Sequence, residues 1–370
     1  MRGRREPQVT MLAFIDLEER VPVDHPLRAI KRLADTALAD LSPTFDAMYH
    51  AGGRPSIPPE RLLKASLLIA LYSVRSERAF CEELDYHLLF RWFLDMTLIE
   101  PSFDPTTFTK NRGRLLEHAV GQRLFDEVVW QAQEQGLLSD EHFTVDGTLI
   151  EACASLKSFR RRDDDSSSPP DDPGNPSVDF HGERRANTTH QSTTDPEARL
   201  LKKGKGKEAR LSFMGHALME NRHGFLVDFQ LSPATGTAER DAVPELLDAA
   251  VERGFHPKTL GSDKNYDTAA CVADQRVRGV TPHVTQNTGR KGGSAIDGRT
   301  TRHPGYTVSQ RIRKRVEEIF GWMKTVGGFR RTRYRGLAVT SLAGYLVATA
   351  YNLVRLSRLA TAEQALPTAA

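Results

Sequence analysis

Three acidic residues, Asp146, Asp263 and Glu317, have the side chains and the settings that phosphoryl-transfer chemistry requires. Asp146 lies in the β-like run HFTVDGTLIEA, and Asp263 ends the β-like part of a second run, KTLGSDKNYD. Glu317 lies in the amphipathic segment TVSQRIRKRVEEIFGWMK. Two carboxylates on strands and one on a helix, far apart in sequence, are a common way to hold a pair of divalent cations for phosphoryl transfer.

Each of these acids also has an ordinary structural explanation. Asp-Gly pairs such as Asp146-Gly147 often mark turns, and Asp263 before a helix could be an N-cap. Glu317 could form an exposed i,i+4 ion pair with Arg313, which would contribute only ~0.3–0.5 kcal/mol. The local pattern at each acid therefore leaves both interpretations open.

The helical phase of the segment around Glu317 favours this residue over its neighbour Glu318. At ~100° per residue, with Glu317 as zero, a polar stripe within about 60° also holds Lys324, Arg313 and Gln310. Glu318 falls near 100°, off this stripe. The apolar residues fall between about 200° and 300°; they are Ile312, Val316, Ile319, Phe320 and Met323. One carboxylate therefore shares a stripe with basic and amide groups.

The composition describes an ordinary protein with one strongly basic segment. The chain has 370 residues, enough for two domains, with 39% hydrophobic residues and a mean hydropathy of -0.46. The formal net charge is only +3. Residues 290–335, however, contain thirteen Lys or Arg against three Asp or Glu. Such a segment suits a polyanionic partner, and nucleic acid is the leading candidate.

The cysteines and the N-terminus favour a reducing cytoplasm. Cys81, Cys153 and Cys271 are widely spaced and odd in number, so they match neither a disulfide framework nor a zinc pattern. We expect them to be reduced and buried. The N-terminal sequence becomes acidic before any long apolar run, so a signal peptide is not predicted.

One apolar stretch, residues 337–354, is about long enough to span a bilayer. Ser341, Tyr345 and Asn352 interrupt it, and many of its residues are small. The pattern favours a buried helix of the domain core, and no membrane association is predicted.

The pattern of apolar residues divides the chain at about residue 140. Residues 1–140 predict a helical domain, with helices from Pro59, over 76–93, from about 106, and over 120–135. From 141 to 360 the pattern predicts a mixed α/β domain. Its expected strands lie at 143–149, 211–219, 224–231, before Asp263, and at 280–284, with helices over 239–253 and 268–278. A polar segment rich in Pro, Gly, Ser and Asp, about 158–195, predicts a disordered loop.

The segment GYTVSQRIRKRVEEIFGWMKTVGGFRRTRYRG resembles the C-terminal signature of bacterial insertion-sequence transposases of the DDE type, in the insertion sequence five group. That signature has Arg, then Glu four residues later, then Lys seven beyond, as at Arg313, Glu317 and Lys324. Similar motifs run from about residue 12 to 355; they are VPVDHPLRAI, GRPSIPPERLLKASLLIALYSVRSER, FTKNRGRLL, HFTVDGTLIEACAS, ENRHGFLVDFQLSPATGTAERDA, TLGSDKNYDT and SAIDGRTTRHPGY. Two positions depart from the family pattern, because Gln310 stands where Tyr is common and Asn265 where Gly is common.

The resemblance implies a ribonuclease-H-like α/β catalytic domain with an N-terminal all-helical domain for DNA-end binding or dimerisation. It further implies that Asp146, Asp263 and Glu317 are the catalytic residues and bind two Mg²⁺ or Mn²⁺ ions. The implied reaction is metal-dependent cleavage and strand transfer of DNA at terminal inverted repeats, by two-metal-ion phosphoryl transfer.

The implied partners are double-stranded DNA, both inverted repeats and target, and further copies of the chain in a homodimer or larger synaptic assembly. Expected DNA contacts to phosphate come from basic residues of the C-terminal signature: Arg313, Lys324, Arg330, Arg331, Arg333 and Arg335. The expected location is the cytoplasm, in association with the nucleoid. Two alternatives remain open: a stand-alone metal-dependent nuclease of the same fold, and an inactive DNA-binding relic or regulator.

Overall fold

The structure of the protein is a computed structural model that describes residues 14–49, 52, 56–162, 179–180, 183–202, 208–289 and 292–364. In the described part of the first 140 residues the regular structure is helical, as predicted. Its eight helices are α1 Leu17–Arg20, α2 Pro26–Asp40, α3 Ser42–Met48, α4 Pro59–Leu71, α5 Glu77–Leu84, α6 Leu88–Phe93, α7 Thr106–Glu117 and α8 Val120–Glu134.

The prediction of one helix over 76–93 is wrong, because the chain turns between α5 and α6. The His87 ring accepts a hydrogen bond from the Phe90 amide and so caps the start of α6. Arg91, only 3% exposed, donates to the carbonyl oxygens of Thr97 and Glu100 at 2.8 and 2.6 Å. The turn thus lets a buried guanidinium satisfy backbone groups of the following loop.

From His142 onward the chain builds a mixed sheet. The strands are β1 His142–Glu151, β2 Phe159–Arg161, β3 Asp179–Phe180, β4 Glu183–Arg184, β5 His190–Ser192, β6 Arg199–Lys202, β7 Ala209–Glu220, β8 Leu226–Pro233, β9 Thr259–Ser262 and β10 Thr281–Val284. The central order is β8-β7-β1-β9-β10, and β6 pairs with the beginning of β7. Strands β8, β7 and β1 are antiparallel, whereas β9 and β10 run parallel to β1. Three antiparallel strands followed by α/β units confirm the predicted fold class.

The helices of this region flank the sheet. They are α9 Ala238–Asp241, α10 Val243–Glu252, α11 Ala269–Val277, α12 Gly298–Thr301, α13 Pro304–Ile312, α14 Val316–Thr325 and α15 Leu337–Gln364. Between α13 and α14 the residues Arg313–Arg315 form a 3₁₀ turn. The uniform helix assumed around Glu317 is therefore wrong: a 3₁₀ turn rotates by about 120° per residue, so the phase of Gln310 changes. Glu317 and Lys324 lie together in α14 and keep their phase.

The ends of the predicted disordered loop are folded, so the prediction is wrong for residues 158–162 and 185–195. Strands β2 and β5 pair, and the hydroxyl oxygens of Ser158 and Ser192 lie 2.7 Å apart. Phe159, 1% exposed, packs in a small apolar cluster with Leu211 and Phe213. Burial of this one aromatic side chain stabilises the folded ends of the segment, although the average composition of the segment is polar. The central residues 163–178 and 181–182 lie outside the described residues.

Helix α15 is the core helix that the sequence predicted. Its residues Leu337–Ala360 are long and apolar enough to cross a membrane by length and composition alone, with a mean hydropathy of 1.5. Most of this stretch is buried inside the protein. Asn352 is fully buried, and its side chain accepts from the Leu226 amide at 3.0 Å and donates to the Leu226 carbonyl at 2.8 Å. The polar interruption thus completes hydrogen bonds of β8.

The helical region and the sheet share one hydrophobic core. Helix α15 packs against α2, α4 and α8 on one side and against β8 on another. Buried residues from Val21 to Leu353 belong to one continuous cluster. The strands begin at His142, and the packing is continuous from the helices into the sheet.

Candidate active site

Asp146 and Asp263 lie at neighbouring positions of two parallel strands. Strands β1 and β9 pair His142 with Thr259 and Thr144 with Gly261. Continuing this register by two residues sets Asp146 opposite Asp263, directly after the end of β9. The parallel pairing of β1 and β9 thus brings Asp146, midway along β1, beside Asp263, although the two acids are 117 positions apart in the sequence.

One oxygen of each aspartate is oriented by a nearby backbone amide. The Gly147 amide donates to Asp146 Oδ1 at 2.8 Å, and the Asn265 amide donates to Asp263 Oδ1 at 2.7 Å. Asp263 therefore is an N-cap, of the 3₁₀ turn Lys264–Tyr266, and also a neighbour of Asp146. The turn interpretation of Asp146-Gly147 is wrong, because both residues lie inside β1.

The charge around Asp146 is strongly unbalanced. Burial raises the pKa of the Asp146 carboxyl to about 7. The Gly147 amide acts against this rise, the carboxylates of Asp263 and Glu239 raise the pKa further, and the Arg313 guanidinium lowers it. Partly buried carboxylates that repel one another are stabilised in their charged form by a bound cation.

Glu317 lies on the stretch of chain that passes Asp146, and its side chain is exposed. At one end of this stretch, a Cβ atom placed on Gly261 would lie 3.2 Å from Cβ of Arg313. At the other end, Lys324 Nζ donates to Thr148 Oγ1 at 2.5 Å. Because Gly261 pairs with Thr144, the chain from 313 to 324 follows β1 from Thr144 to Thr148. Asp146 lies midway between these two strand positions.

Gln310 holds the Arg313 side chain in place. Arg313 Nε donates to Gln310 Oε1 at 3.0 Å, and among the described residues no ion pair joins Arg313 to Glu317. The Gln310 amide is itself fixed, because its Nε2 donates to the His283 carbonyl at 2.6 Å and its Oε1 accepts from Thr285 at 2.6 Å. The residue that stands where the family often has Tyr thus orients the guanidinium beside the acids.

The four arginines that follow α14 are exposed and lie beyond the carboxyl end of β1; they are Arg330, Arg331, Arg333 and Arg335. The Glu151 amide donates to the Arg330 carbonyl at 3.0 Å, which attaches this segment to the last residue of β1. Arg333 also donates to the Val74 carbonyl at 2.8 Å, which ties the segment to the loop after α4. These basic side chains therefore lie beyond the strand end that follows Asp146.

Two further residues near the acids had no assigned role in the sequence. Glu239 lies in the one-turn helix α9 and acts on the pKa of Asp146. Tyr266 is fully buried, and burial followed by the charges of Asp146, Glu239 and Asp263 raises the pKa of its phenol. Glu239 belongs to the motif SPATGTAERDA that carried part of the family resemblance, so the sequence did offer a signal at this position.

The donor set suits a hard divalent cation. Carboxylate oxygens are the ligands that Mg²⁺ and Mn²⁺ prefer, and the unbalanced negative charge at Asp146 adds to the attraction. Within the described ranges, no three His, Cys, Asp or Glu side chains are already arranged to hold a metal ion together. The carboxylates of Asp146 and Asp263 therefore fit such a cation in chemistry and charge.

A cavity of about 830 Å³ lies elsewhere, at the amino ends of the parallel strands, where His142, Thr259 and Thr281 begin β1, β9 and β10. Asp146 and Asp263 are absent from its lining. The cavity therefore lies apart from the two aspartates, because Asp263 follows the opposite end of β9.

The fold and the paired carboxylates define an α/β enzyme of ribonuclease-H-like architecture. The family model described as "Transposase DDE domain" matches residues 138–353, and the model described as "Transposase domain (DUF772)" matches residues 15–114. Since the first match covers more than half of the chain, the protein belongs to the DDE transposase family. It is an insertion-sequence DDE transposase, an enzyme of DNA transposition, and its family implies dependence on a divalent metal.

No curated protein sequence matches the chain. Among solved structures, the piggyBac transposase synaptic complex with hairpin DNA is 10% identical over 94% of this chain and 83% of that chain, with a TM-score of 0.38. A pre-cleavage Mos1 transpososome is 9% identical over 83% of this chain and 82% of that chain, with a TM-score of 0.21. The Mos1 mariner paired end complex with Mn is 12% identical over 93% of this chain and 88% of that chain, with a TM-score of 0.20. Likenesses this distant carry no functional weight.

Proposed function

We propose that Asp146, Asp263 and Glu317 hold two Mg²⁺ or Mn²⁺ ions and cleave and join DNA at the ends of an insertion sequence of the insertion sequence five group. The main support is the side-by-side position of Asp146 in β1 and Asp263 directly after β9, in surroundings with excess negative charge. When bound, the cations activate the attacking water or DNA 3′-hydroxyl and stabilise the leaving oxygen.

Backbone amides of the protein orient the two aspartates, and a basic side chain is placed for the DNA phosphate. A backbone amide fixes one oxygen of Asp146 and one of Asp263, which leaves the second oxygen of each for a cation. Glu317 is exposed on the stretch that passes Asp146, so its carboxylate can turn toward the aspartates without breaking a packed contact. Arg313, held by Gln310, supplies a positive charge for the phosphate beside the scissile bond.

The DNA is expected to lie along the basic side chains near the carboxyl end of β1. Lys324 reaches Thr148 there, and Arg330, Arg331, Arg333 and Arg335 extend the positive surface. Such residues give affinity and register through phosphate contacts. We further propose that the N-terminal helices recognise the terminal inverted repeats and that a homodimer or larger assembly brings two ends and a target together, in the cytoplasm at the nucleoid.

A strand-transfer assay with DNA carrying the two ends of the element tests this function. Wild-type protein with Mg²⁺ or Mn²⁺ should nick the ends and join them to a target plasmid, and Asp146→Asn should do neither. Cleavage without joining would instead identify a stand-alone nuclease. Specific binding of the ends by wild-type protein without any cleavage would identify an inactive regulator.

A further inference from the structure

The glycine after Asp146 allows the close approach of the Glu239 side chain. A Cβ atom placed on Gly147 would lie 2.6 Å from Cγ and 2.8 Å from Oε1 of Glu239, closer than side chains can approach. Gly147 lies inside β1, where glycine otherwise weakens a strand. Its missing side chain lets the carboxylate of α9 lie against the strand backbone, one residue from Asp146.

The phenol of Tyr266 is a second, independent sign of a binding site. Tyr266 is fully buried, and its hydroxyl has no hydrogen-bond partner among the residues that the structure describes. Asp146, Glu239 and Asp263 all act on this phenol electrostatically, so it lies among the three acids. A buried hydroxyl without a partner is uncommon, because leaving it unpaired is unfavourable. A ligand oxygen that accepts from this hydroxyl would supply the missing partner.

We propose that Glu239 supplies a further carboxylate to the divalent-cation centre of Asp146 and Asp263, reaching it across Gly147, and that the Tyr266 hydroxyl donates a hydrogen bond to one of the oxygen ligands. This inference rests on the proposed function, because it assumes that the two aspartates bind the cation. Mutual repulsion separates carboxylates that lack a cation. Binding of the cation draws the Glu239 carboxylate over the glycine toward Asp146.

Titration of the full-length protein with Mn²⁺, followed by calorimetry and by the electron paramagnetic resonance of free Mn²⁺, measures the number and affinity of bound ions without any DNA. We expect Glu239→Gln to weaken Mn²⁺ binding by at least about tenfold, as loss of even an outer-shell metal partner does. Asp241→Asn is the matched control, because Asp241 is an exposed acid of the same short helix. Its affinity should stay within about twofold of wild type, the spread expected for an independent surface site.

Gly147→Ala provides a second variant that keeps the Glu239 carboxylate. The added methyl group occupies the space of the Glu239 side chain, so Mn²⁺ affinity should fall as in Glu239→Gln. Gly113→Ala is its control, since nothing lies within 4 Å of a Cβ at that position. Tyr266→Phe should weaken Mn²⁺ binding less than Glu239→Gln, because it removes a hydrogen bond and no ligand.

Asp146→Asn separates failure of this inference from failure of the proposed function. If Asp146→Asn loses Mn²⁺ while Glu239→Gln and Gly147→Ala bind it as wild type does, the role of Glu239 is refuted and the proposed site stands. If Asp146→Asn itself binds Mn²⁺ like wild type, the aspartates are not the metal centre and both proposals fail. Circular dichroism of each variant before titration verifies that the affinities compare folded proteins.

Discussion

The stability of the fold toward acid should depend measurably on His216. This residue of β7 is only 1% exposed, and its Nε2 lies 2.8 Å from the hydroxyl of Ser232. Burial lowers the pKa of the His216 ring to about 4, with a small opposing effect of Asp241. The folded protein therefore keeps a neutral ring over the pH range in which an unfolded chain protonates its histidines.

The sign and the size of the effect follow from proton linkage. The stability that depends on the neutral ring is fully present above the unfolded pKa of about 6.5 and is lost as the pH falls toward the folded value. A solution pH of 5 is about 1.5 units below the pKa of an unfolded histidine. At about 1.36 kcal/mol per unit, the free energy of unfolding therefore falls by about 2 kcal/mol. Burial also lowers the pKa of His142 to about 4, which adds a loss of the same sign.

Urea unfolding of wild type and His216→Gln at pH 8 and pH 5 measures this contribution. The free energy of unfolding should fall between the two pH values by about 2 kcal/mol less in the variant than in wild type. The absolute stability of His216→Gln is not the readout, because the variant also changes packing. His256→Gln, at an exposed position, should show the wild-type fall. Equal falls in wild type and His216→Gln would refute a neutral buried ring at this position.

Three further predictions concern the core, one helix and the DNA surface. Asn352→Leu should lower the free energy of unfolding in a urea titration by about 2–5 kcal/mol, because it leaves two buried backbone groups of β8 unpaired. The control Thr349→Val loses one hydrogen bond within α15 and should lower it by about 1 kcal/mol. Equal losses of stability in the two variants would contradict this prediction. Gly113→Ala should raise the free energy of unfolding by about 0.5–1 kcal/mol, since its Cβ meets open space in α7; a loss of stability would show that the position is crowded. Lys324→Gln should reduce the slope of log affinity against log salt concentration for DNA binding by about 0.9, the value of one phosphate contact. The control Lys258→Gln, at a residue directly before β9, should leave the slope unchanged. An unaltered slope in Lys324→Gln would show that Lys324 does not contact a DNA phosphate.

The strands could be predicted from the sequence because their signal is local. Alternating apolar residues and the turn after Glu220 mark β7 and β8, and the change of period at His142 marks β1. The neighbouring position of Asp146 and Asp263 is different, because it depends on the pairing of β1 with β9 across more than a hundred residues. Periodicity does not predict this pairing; the family resemblance implied the closeness of the two aspartates by grouping them as catalytic residues of one fold.

The surroundings of Glu317 were only partly predictable. The helical phase within α14 is a local property, and it relates Glu317 correctly to Lys324. The 3₁₀ turn at Arg313–Arg315 is not visible in a pattern analysed with a constant angle per residue. A sequence pattern also could not show that Gln310 accepts a hydrogen bond from Arg313. Which neighbouring side chain accepts that bond depends on the packing of α13 against β10.

Glu239 and Tyr266 show where sequence patterns fail for a physical reason. The sequence predicted Glu239 at the start of a helix over 239–253, but a helical pattern does not show which strand residue a side chain at that start approaches. The closeness of Glu239 to β1 is recorded in the sequence only as a glycine at 147, and glycine after aspartate more often indicates a turn. The loop around Phe159 failed similarly, since a single buried aromatic outweighs a polar average.

The most direct measurement compares the metal-dependent cleavage of element-end DNA by Glu317→Gln with that by Glu318→Gln. Both residues are exposed neighbours in the first turn of α14, so charge and helix stability change alike. If Glu317 completes the site of Asp146 and Asp263, Glu317→Gln should lose at least about 100-fold in cleavage rate, as should Asp146→Asn and Asp263→Asn. Glu318→Gln should cleave within a few fold of wild type. Full activity of Glu317→Gln, or of either aspartate variant, would contradict the assignment of this centre.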